Sequence, residues 1–460
     1  MKKIFCLVCF FSALFSLKSI ADVPEGAIPF VFDGHLYLQS TLNDTIPVTL
    51  IYDTGADFLY LDEDYLKLNH LQNAFGRKGK ATMGGAGNGE PERIDIFIDP
   101  ITVHCGAREY QNEITPIIKL RDLLGRHTDG LLGNTHLLMN PLEINFSESY
   151  LRQLKEPLLA EQLDNYVKLD ARFEDNRIDV KATLQIDDEN SLEGWFRMDL
   201  GCGSTIILTN ETASAFNFMD VPKAYFRTQA GGIGGGSEEV TIRAAKFCMV
   251  DTLENIVIDY SLNEKGALSS DRPYIGIIGN EIWSLYDIVL DPVSSSVWVK
   301  RNENQGTYAQ SSVTHMVTGD RTDICGGWIV NGLYKGGVAE QAGIEIGDII
   351  VAINNRPVKE ITWEEQRKGL ELQEKLHIPF KNPTVKSFPI LCLLVNRLFD
   401  PTISHIVRSL LFPKNLWKGR VYVDMESGPR TIGKDAARRH TPFRFVFECM
   451  IHIIRRKTRG

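Results

Sequence analysis

The chain of 460 residues has little of what metal or nucleotide chemistry would need. Its ten histidines include no His-Glu-x-x-His and no paired Cys/His spacing, which argues against a metal site. Its eight cysteines are scattered, so neither a disulfide-stapled scaffold nor a zinc ribbon fits. Positive charge is not in excess: 50 Lys and Arg stand against 59 Asp and Glu, for a net charge of −9, and nothing argues for a nucleic-acid partner of the chain as a whole. The glycine-rich stretches lack the Gly-Lys-Ser/Thr that closes a phosphate loop. The apolar run at residues 4–17 is short for a membrane span.

That run reads instead as a secretory signal over residues 1–21. Lys2 and Lys3 give the positive start, and Ser19-Ile20-Ala21 puts small residues before a cut. The expectation is an exported protein, periplasmic or secreted, in which disulfides are permitted but not required. Cys6 and Cys9 fall in the signal. Cys105 and Cys248 sit at corresponding places in two repeats and read as core cysteines.

The repeats are the main feature. Asp53-Thr54-Gly55-Ala56 follows the apolar run 46–52, and Asp199-Leu200-Gly201-Cys202 follows a similar approach, 146 residues later. Downstream of each comes Gly-x-x-Gly-Asn, ending at Gly133-Asn134 and at Gly279-Asn280, again 146 residues apart. Glycine-rich stretches lie between, with Gly84, Gly85 and Gly87 in one copy and Gly231, Gly232 and Gly234 in the other. Short alternating runs broken by Gly, Asn and Asp predict strands joined by turns over 22–165 and again over 166–301. A short helix or connector is expected at 150–165, and a closing hairpin after residue 285.

Two lobes with one aspartate each suggest a site where two carboxylates face each other. Close together they cannot both ionise cheaply, so they share a proton. One then serves as base for water, and the other as acid toward a carbonyl oxygen, which is the requirement of peptide hydrolysis. Gly55 and Gly201 let the backbone turn tightly so that N–H groups point at the carboxylates. The glycine-rich stretches suit hairpins that close over a bound strand.

On these residues the segment from about 25 to 300 resembles a single-chain, bilobal aspartic protease of the pepsin and retropepsin type. The resemblance implies a mainly β fold of two homologous lobes with the cleft between them. It implies Asp53 and Asp199 as the catalytic pair, flaps at 83–87 and 230–236, and no metal, cofactor or covalent intermediate. Thr54, Gly55, Ala56, Gly201, Cys202, Gly133 and Gly279 become the supporting residues. The site forms within one chain, so a monomer suffices. Two positions depart from the pattern. Leu200 stands where the family has a second Thr or Ser, which removes half of a reciprocal brace. Ala56 and Cys202 replace the Ser of pepsins, and without that hydroxyl the expected pH optimum moves toward neutral.

A polar linker is expected at 302–319. Residues 320–395 then resemble a small α+β PDZ domain of the bacterial kind, on Ala339-Glu340-Gln341-Ala342-Gly343-Ile344, Gly347-Asp348-Ile349-Ile350 and Ile353-Asn354-Asn355-Arg356-Pro357-Val358. Such domains add a peptide as an extra strand beside a helix, here expected at 363–370, and recruit a protein substrate or partner. Gly327, Trp328 and Ile329 are the candidate peptide-binding residues, and a last strand is expected within 388–395. Residues 396–460 carry 14 Lys and Arg against 5 Asp and Glu. They read as a solvated basic tail, with contact to an anionic membrane surface as a second reading and a fused or shifted reading frame as a third. The function expected is aspartic endopeptidase; the alternative is a protease-shaped peptide-binding protein with weak or no turnover, acting through its PDZ domain.

Overall fold

The computed structural model describes residues 23–216, 223–228, 234–270, 272–302, 315–353, 356–367, 377–378 and 386–387. The expected signal, Gly231 and Gly232, the last strand at 388–395 and the basic tail lie outside the described residues.

The architecture is mainly β, in two lobes that repeat one plan. In lobe 1 the strand Ile46–Tyr52 carries the chain to Asp53. The strand Gly130–Leu132 runs parallel to it, pairing Leu131 with Ile51 and Leu132 with Tyr52, and antiparallel to Leu59–Asp62. In lobe 2 Ser191–Met198 leads to Asp199, and Gly276–Ile278 pairs Ile277 with Arg197 and Ile278 with Met198. Ile206–Leu208 lies antiparallel on its other side. The parallel registers of the two lobes are related by the same 146 residues as the motifs, and the antiparallel partner strand is offset by 147.

Alternation fixes which side chains go inward. Leu50, Tyr52 and Leu132 face the main core, which continues across the interlobe boundary to Met198, Leu200, Ile278 and Trp283. The residues between them face the other way. Tyr37, Ile51, Ala56, Tyr60, Leu120 and Leu131 form a smaller cluster on lobe 1, and Ile207, Leu268, Tyr274 and Ile277 form another on lobe 2 with Cys202 packed against it.

A shared sheet joins the lobes. Its order is Val167–Leu169, Ser296–Arg301, Tyr286–Asp291, Leu142–Asn145, Tyr150–Gln153, Ile28–Phe32. Lobe 1 meets lobe 2 where Leu142 pairs Leu290 and Ile144 pairs Ile288. The hairpin expected after 285 is the pair Tyr286–Asp291 and Ser296–Arg301. The helix or connector expected at 150–165 is corrected: Tyr150–Gln153 is a strand, because both its edges are paired, and only the 3-10 turn Ala160–Gln162 is helical. Cys105 is buried, as expected, with its thiol 2.9 Å from the Ser40 hydroxyl. Cys248 is half-buried at a strand end rather than in the core.

The C-terminal module starts earlier than residue 320. Met316–Arg321 is already its edge strand, pairing Met316 with Leu333 and Arg321 with Gly327 of the long strand Gly327–Lys335. The helical turn Val338–Gln341 and the short strands that follow enclose Val330, Leu333, Ala339, Ile344, Ile350 and Val358. Gly343 and Gly347, at φ +77° and +95°, make the turns between them, where a side chain would be strained. Helix Trp363–Arg367 lies where the second helix was expected.

Candidate active site

The two aspartates meet at the interlobe boundary. Asp53 and Asp199 share a hydrogen bond between their carboxyls. Each accepts one backbone N–H from its own turn: Gly55 N to Asp53 Oδ1 at 2.7 Å, and Gly201 N to Asp199 Oδ1 at 2.9 Å. Each glycine also lies against the opposite aspartate. A Cβ on Gly201 would fall 2.4 Å from Asp53 Oδ1, and one on Gly55 would fall 3.2 Å from both Asp199 oxygens. No larger residue fits at 201 without moving Asp53.

Desolvation, and then the charge of Asp199, push the Asp53 carboxyl up to about 7. Asp199 is also raised by desolvation, and its Gly201 N–H bond, Arg177 and Arg197 oppose that rise. The last proton of the pair is therefore held up to about neutral pH, as two close carboxyls require. Ala56 and Cys202 offer no hydroxyl to either carboxylate. The Cys202 thiol is itself pushed well above its ordinary value, by burial first and the Asp199 charge second, so it stays protonated and unreactive.

The loops are braced from below. Thr54 Oγ1 donates to Met198 O and accepts from Leu200 N, both at 2.9 Å, so a lobe 1 side chain ties the backbone on either side of Asp199. Leu200 is fully buried and returns nothing of the kind. Gly133 and Gly279 support the loops by being small: a Cβ on either would come within 2.6 Å of a loop carbonyl, that of Ala56 or of Ser204.

Sequence reasoning missed three contributors. Asn134 and Asn280 close the repeated motif and act as loop ties. Asn134 Nδ2 donates to Thr54 O and, across the boundary, to Asn176 O. Asn280 Nδ2 donates to Leu200 O and, across the boundary, to Gly34 O. Their place in both motif copies was a usable signal. Arg177 had none. It reaches from a lobe 2 hairpin to Asp57 of lobe 1, with Nη1 2.5 Å from Oδ1. The matching lobe 1 hairpin offers His35, which bonds the backbone at Gly201 and Asp33 and is pushed down to about 4 by desolvation. The dyad thus has one fixed cation on one side and a neutral imidazole on the other.

Two hairpins, one from each lobe, meet at their tips. Lys78–Met83 pairs with Glu92–Phe97 in lobe 1, and Ala224–Thr228 with Ser237–Cys248 in lobe 2. Their tips meet: Gly89 N donates to Gly234 O at 2.6 Å, and a Cβ on Gly87 would lie 2.4 Å from the Gly234 carbonyl carbon. The Gly85 carbonyl accepts from Ala267 N, and Asn88 Oδ1 from Glu264 N and Lys265 N. Gly84 lies at the foot of the same tip.

A PDZ-domain family model matches residues 329–368. The chain has no match among curated proteins. Among solved structures it is similar to basic 7S globulin from soybean, at 9% identity and a TM-score of 0.35, covering 62% of this chain and 99% of that one. It is also similar to an aspartic proteinase from Irpex lacteus, at 10% identity and a TM-score of 0.38, covering 62% and 99%.

Within the PDZ module the expected peptide-binding residues are placed differently. Gly327, Trp328 and Ile329 lie in the long strand, where Trp328 pairs with both Asp320 and Ile350 and Ile329 with both Gly319 and Ile349. Both edges are taken, so no peptide strand can add there. The outer edge of Met316–Arg321 faces helix Trp363–Arg367, whose Gln366 donates to Asp320.

Proposed function

We propose that the protein is an aspartic endopeptidase that hydrolyses peptide bonds in protein substrates. The carrying observation is the carboxyl–carboxyl hydrogen bond between Asp53 and Asp199 at the junction of two lobes. In this reading the substrate lies as an extended strand between the dyad and the hairpin tips. The ionised carboxylate takes a proton from a water as its oxygen attacks the scissile carbonyl carbon. The protonated carboxyl donates to the carbonyl oxygen. Collapse of the tetrahedral species returns a proton to the leaving nitrogen and breaks the C–N bond. The nucleophile is water, and no step forms a bond between enzyme and substrate.

Cleavage of a mixed peptide library from pH 3 to 8, beside an Asp53→Asn variant, tests the proposal. Cleavage by the parent alone, blocked by a pepstatin-like transition-state mimic, supports it. One observation favours the second reading, a peptide-binding protein without turnover: Leu200 leaves the interlobe brace one-sided. A folded parent that binds library peptides and cleaves none would establish that reading instead.

A further inference from the structure

The PDZ module's own groove is filled by lobe 1. The edge strand Met316–Arg321 and the helix Trp363–Arg367 form the two sides on which a PDZ domain receives an extended segment. Here the segment that follows the lobe 1 helix Arg121–Leu124 lies between them. Arg126 N donates to Asp320 O on the free strand edge at 2.7 Å. Arg126 Nε also reaches Asp320 Oδ2, at 3.2 Å. On the helix side, the His127 ring stacks on Trp363 with centroids 4.5 Å apart and planes 7° from parallel. Asn331 Nδ2 donates to the carbonyls of Asp122 and Leu123.

Buried charge holds the contact in one register. Arg321 of the module is 4% exposed and pairs with Asp64 and Asp122 of lobe 1. Arg121 of lobe 1 is 7% exposed and pairs with Asp129 and with Asp323 of the module. A slipped register would leave these charges buried without their partners, so the pairs fix one docked register.

The filled groove leads to the cleft. Leu124 and Trp363 both pack against the lobe 1 cluster of Tyr37, Ala56, Tyr60 and Leu131. That cluster contains the residue after the Asp53-Thr54-Gly55 turn, and Met83 of the first flap packs on it too. Trp363 meets Tyr37 edge-on at 4.9 Å, and its Nε1 donates to Asp33 Oδ2 at 2.6 Å, next to the Gly34 carbonyl that Asn280 holds. On its other side the module's long strand extends the second flap, pairing Tyr334 with Phe226 and Leu333 with Arg227. One module therefore grips the lobe 1 wall and the lobe 2 flap together.

We propose that the PDZ module works in cis: its groove ligand is the chain's own segment 125–127, and through it Trp363 is a positioning residue for the lobe 1 wall of the substrate cleft. The cleft role rests on the endopeptidase reading; the occupied groove does not. An external peptide reaches this groove only by displacing lobe 1.

Amide hydrogen exchange on the full chain tests the groove, with Trp363→Ala and the milder Gln366→Ala as variants. The parent should protect the Arg126 amide well beyond exposed loop amides. Trp363→Ala should speed its exchange at least tenfold, and Gln366→Ala by a smaller factor, while the Gly55 and Gly201 amides exchange as in the parent. If Trp363→Ala fails to fold, Gln366→Ala carries the test alone. An Arg126 amide that exchanges like an open loop in the parent, or that neither variant alters, overturns the proposal. On a cleaved library peptide, Trp363→Ala should raise KM severalfold with kcat within about twofold; an unchanged KM would remove the cleft role. Absence of cleavage by the parent would defeat the endopeptidase reading and leave the exchange result standing.

Discussion

The hydroxyl of Thr54 accepts from the amide of Leu200, and the side chain of Leu200 gives nothing back. The interlobe brace thus hangs on one hydroxyl and its two bonds. Thr54→Val keeps the shape and deletes both, leaving Leu200 N and Met198 O without this partner in a dry interior. At about 1–3 kcal/mol for each of the two stranded buried groups, the expected loss is roughly 2–6 kcal/mol. A urea midpoint that stays at the parent's value would show that the brace contributes nothing.

Leu200→Thr is not expected to be a simple repair. Leu200 is fully buried among Met198, Ile278 and other core side chains. The change removes apolar volume and buries a hydroxyl, so stability should fall by about 1–3 kcal/mol. Any gain in kcat must come from the added brace alone. Parallel measurement of melting and turnover separates the two effects.

The raised Asp53 carboxyl makes both activity and stability pH-dependent. Activity in the proposed mechanism needs one proton on the pair, so kcat/KM should decline as pH rises through about 7. For stability, a carboxyl raised on folding binds its proton more tightly in the folded state. Its stabilising contribution is complete below the unfolded value of about 3.9 and is lost between there and about 7. Asp53→Asn should abolish cleavage and flatten the stability change across that window. Retention of the parent's slope in the variant would assign the titration to other groups.

The amount of this site legible in the sequence follows from where its parts lie. The dyad, its glycines and the supporting Gly133 and Gly279 sit in short repeated runs, and a repeat at a fixed offset is visible without knowing the fold. Asn134 and Asn280 were equally visible, but their role depends on which loop carbonyls come within reach, which only packing decides. Arg177 meets Asp57 from 120 residues away, on an unremarked hairpin. The PDZ module reads clearly as a unit because its turn glycines and apolar strand are local. Its docking does not, because Asp320, Trp363 and Gln366 meet Arg126 and His127 only in three dimensions. Trp328 looked like a groove residue because the sequence does not say that both its edges are paired.

Gly201 is the position with least room. A methyl group there would stand 2.4 Å from Asp53 Oδ1 and from its Cγ, far inside contact distance. Gly201→Ala must therefore push the two carboxyls apart or rotate Asp53. Catalysis that depends on their shared proton should fall about 10²-fold or more, since displacements near 1 Å cost that much. The fold should survive, because the added methyl meets the Asp53 carboxyl first and not a core side chain. Circular dichroism and turnover measured together decide it, and near-parental kcat would mean the dyad tolerates a wider geometry than the structure shows.

Arg177 offers the sharpest electrostatic test. Its guanidinium pairs with Asp57 across the lobes and lowers both dyad carboxyls from a distance. Arg177→Met keeps much of the packing and removes the charge. With the cation gone, the ionised form of the dyad is less favoured, so its pKa rises and the alkaline limb of kcat/KM moves to higher pH, by up to about 1 unit. Asp57→Asn releases the same ion pair but leaves the guanidinium beside the dyad without its counter-charge. The limb should then move the other way, to lower pH. Opposite shifts from two variants that break one ion pair separate electrostatic tuning from loss of structure, because structural damage alone would move both in one direction.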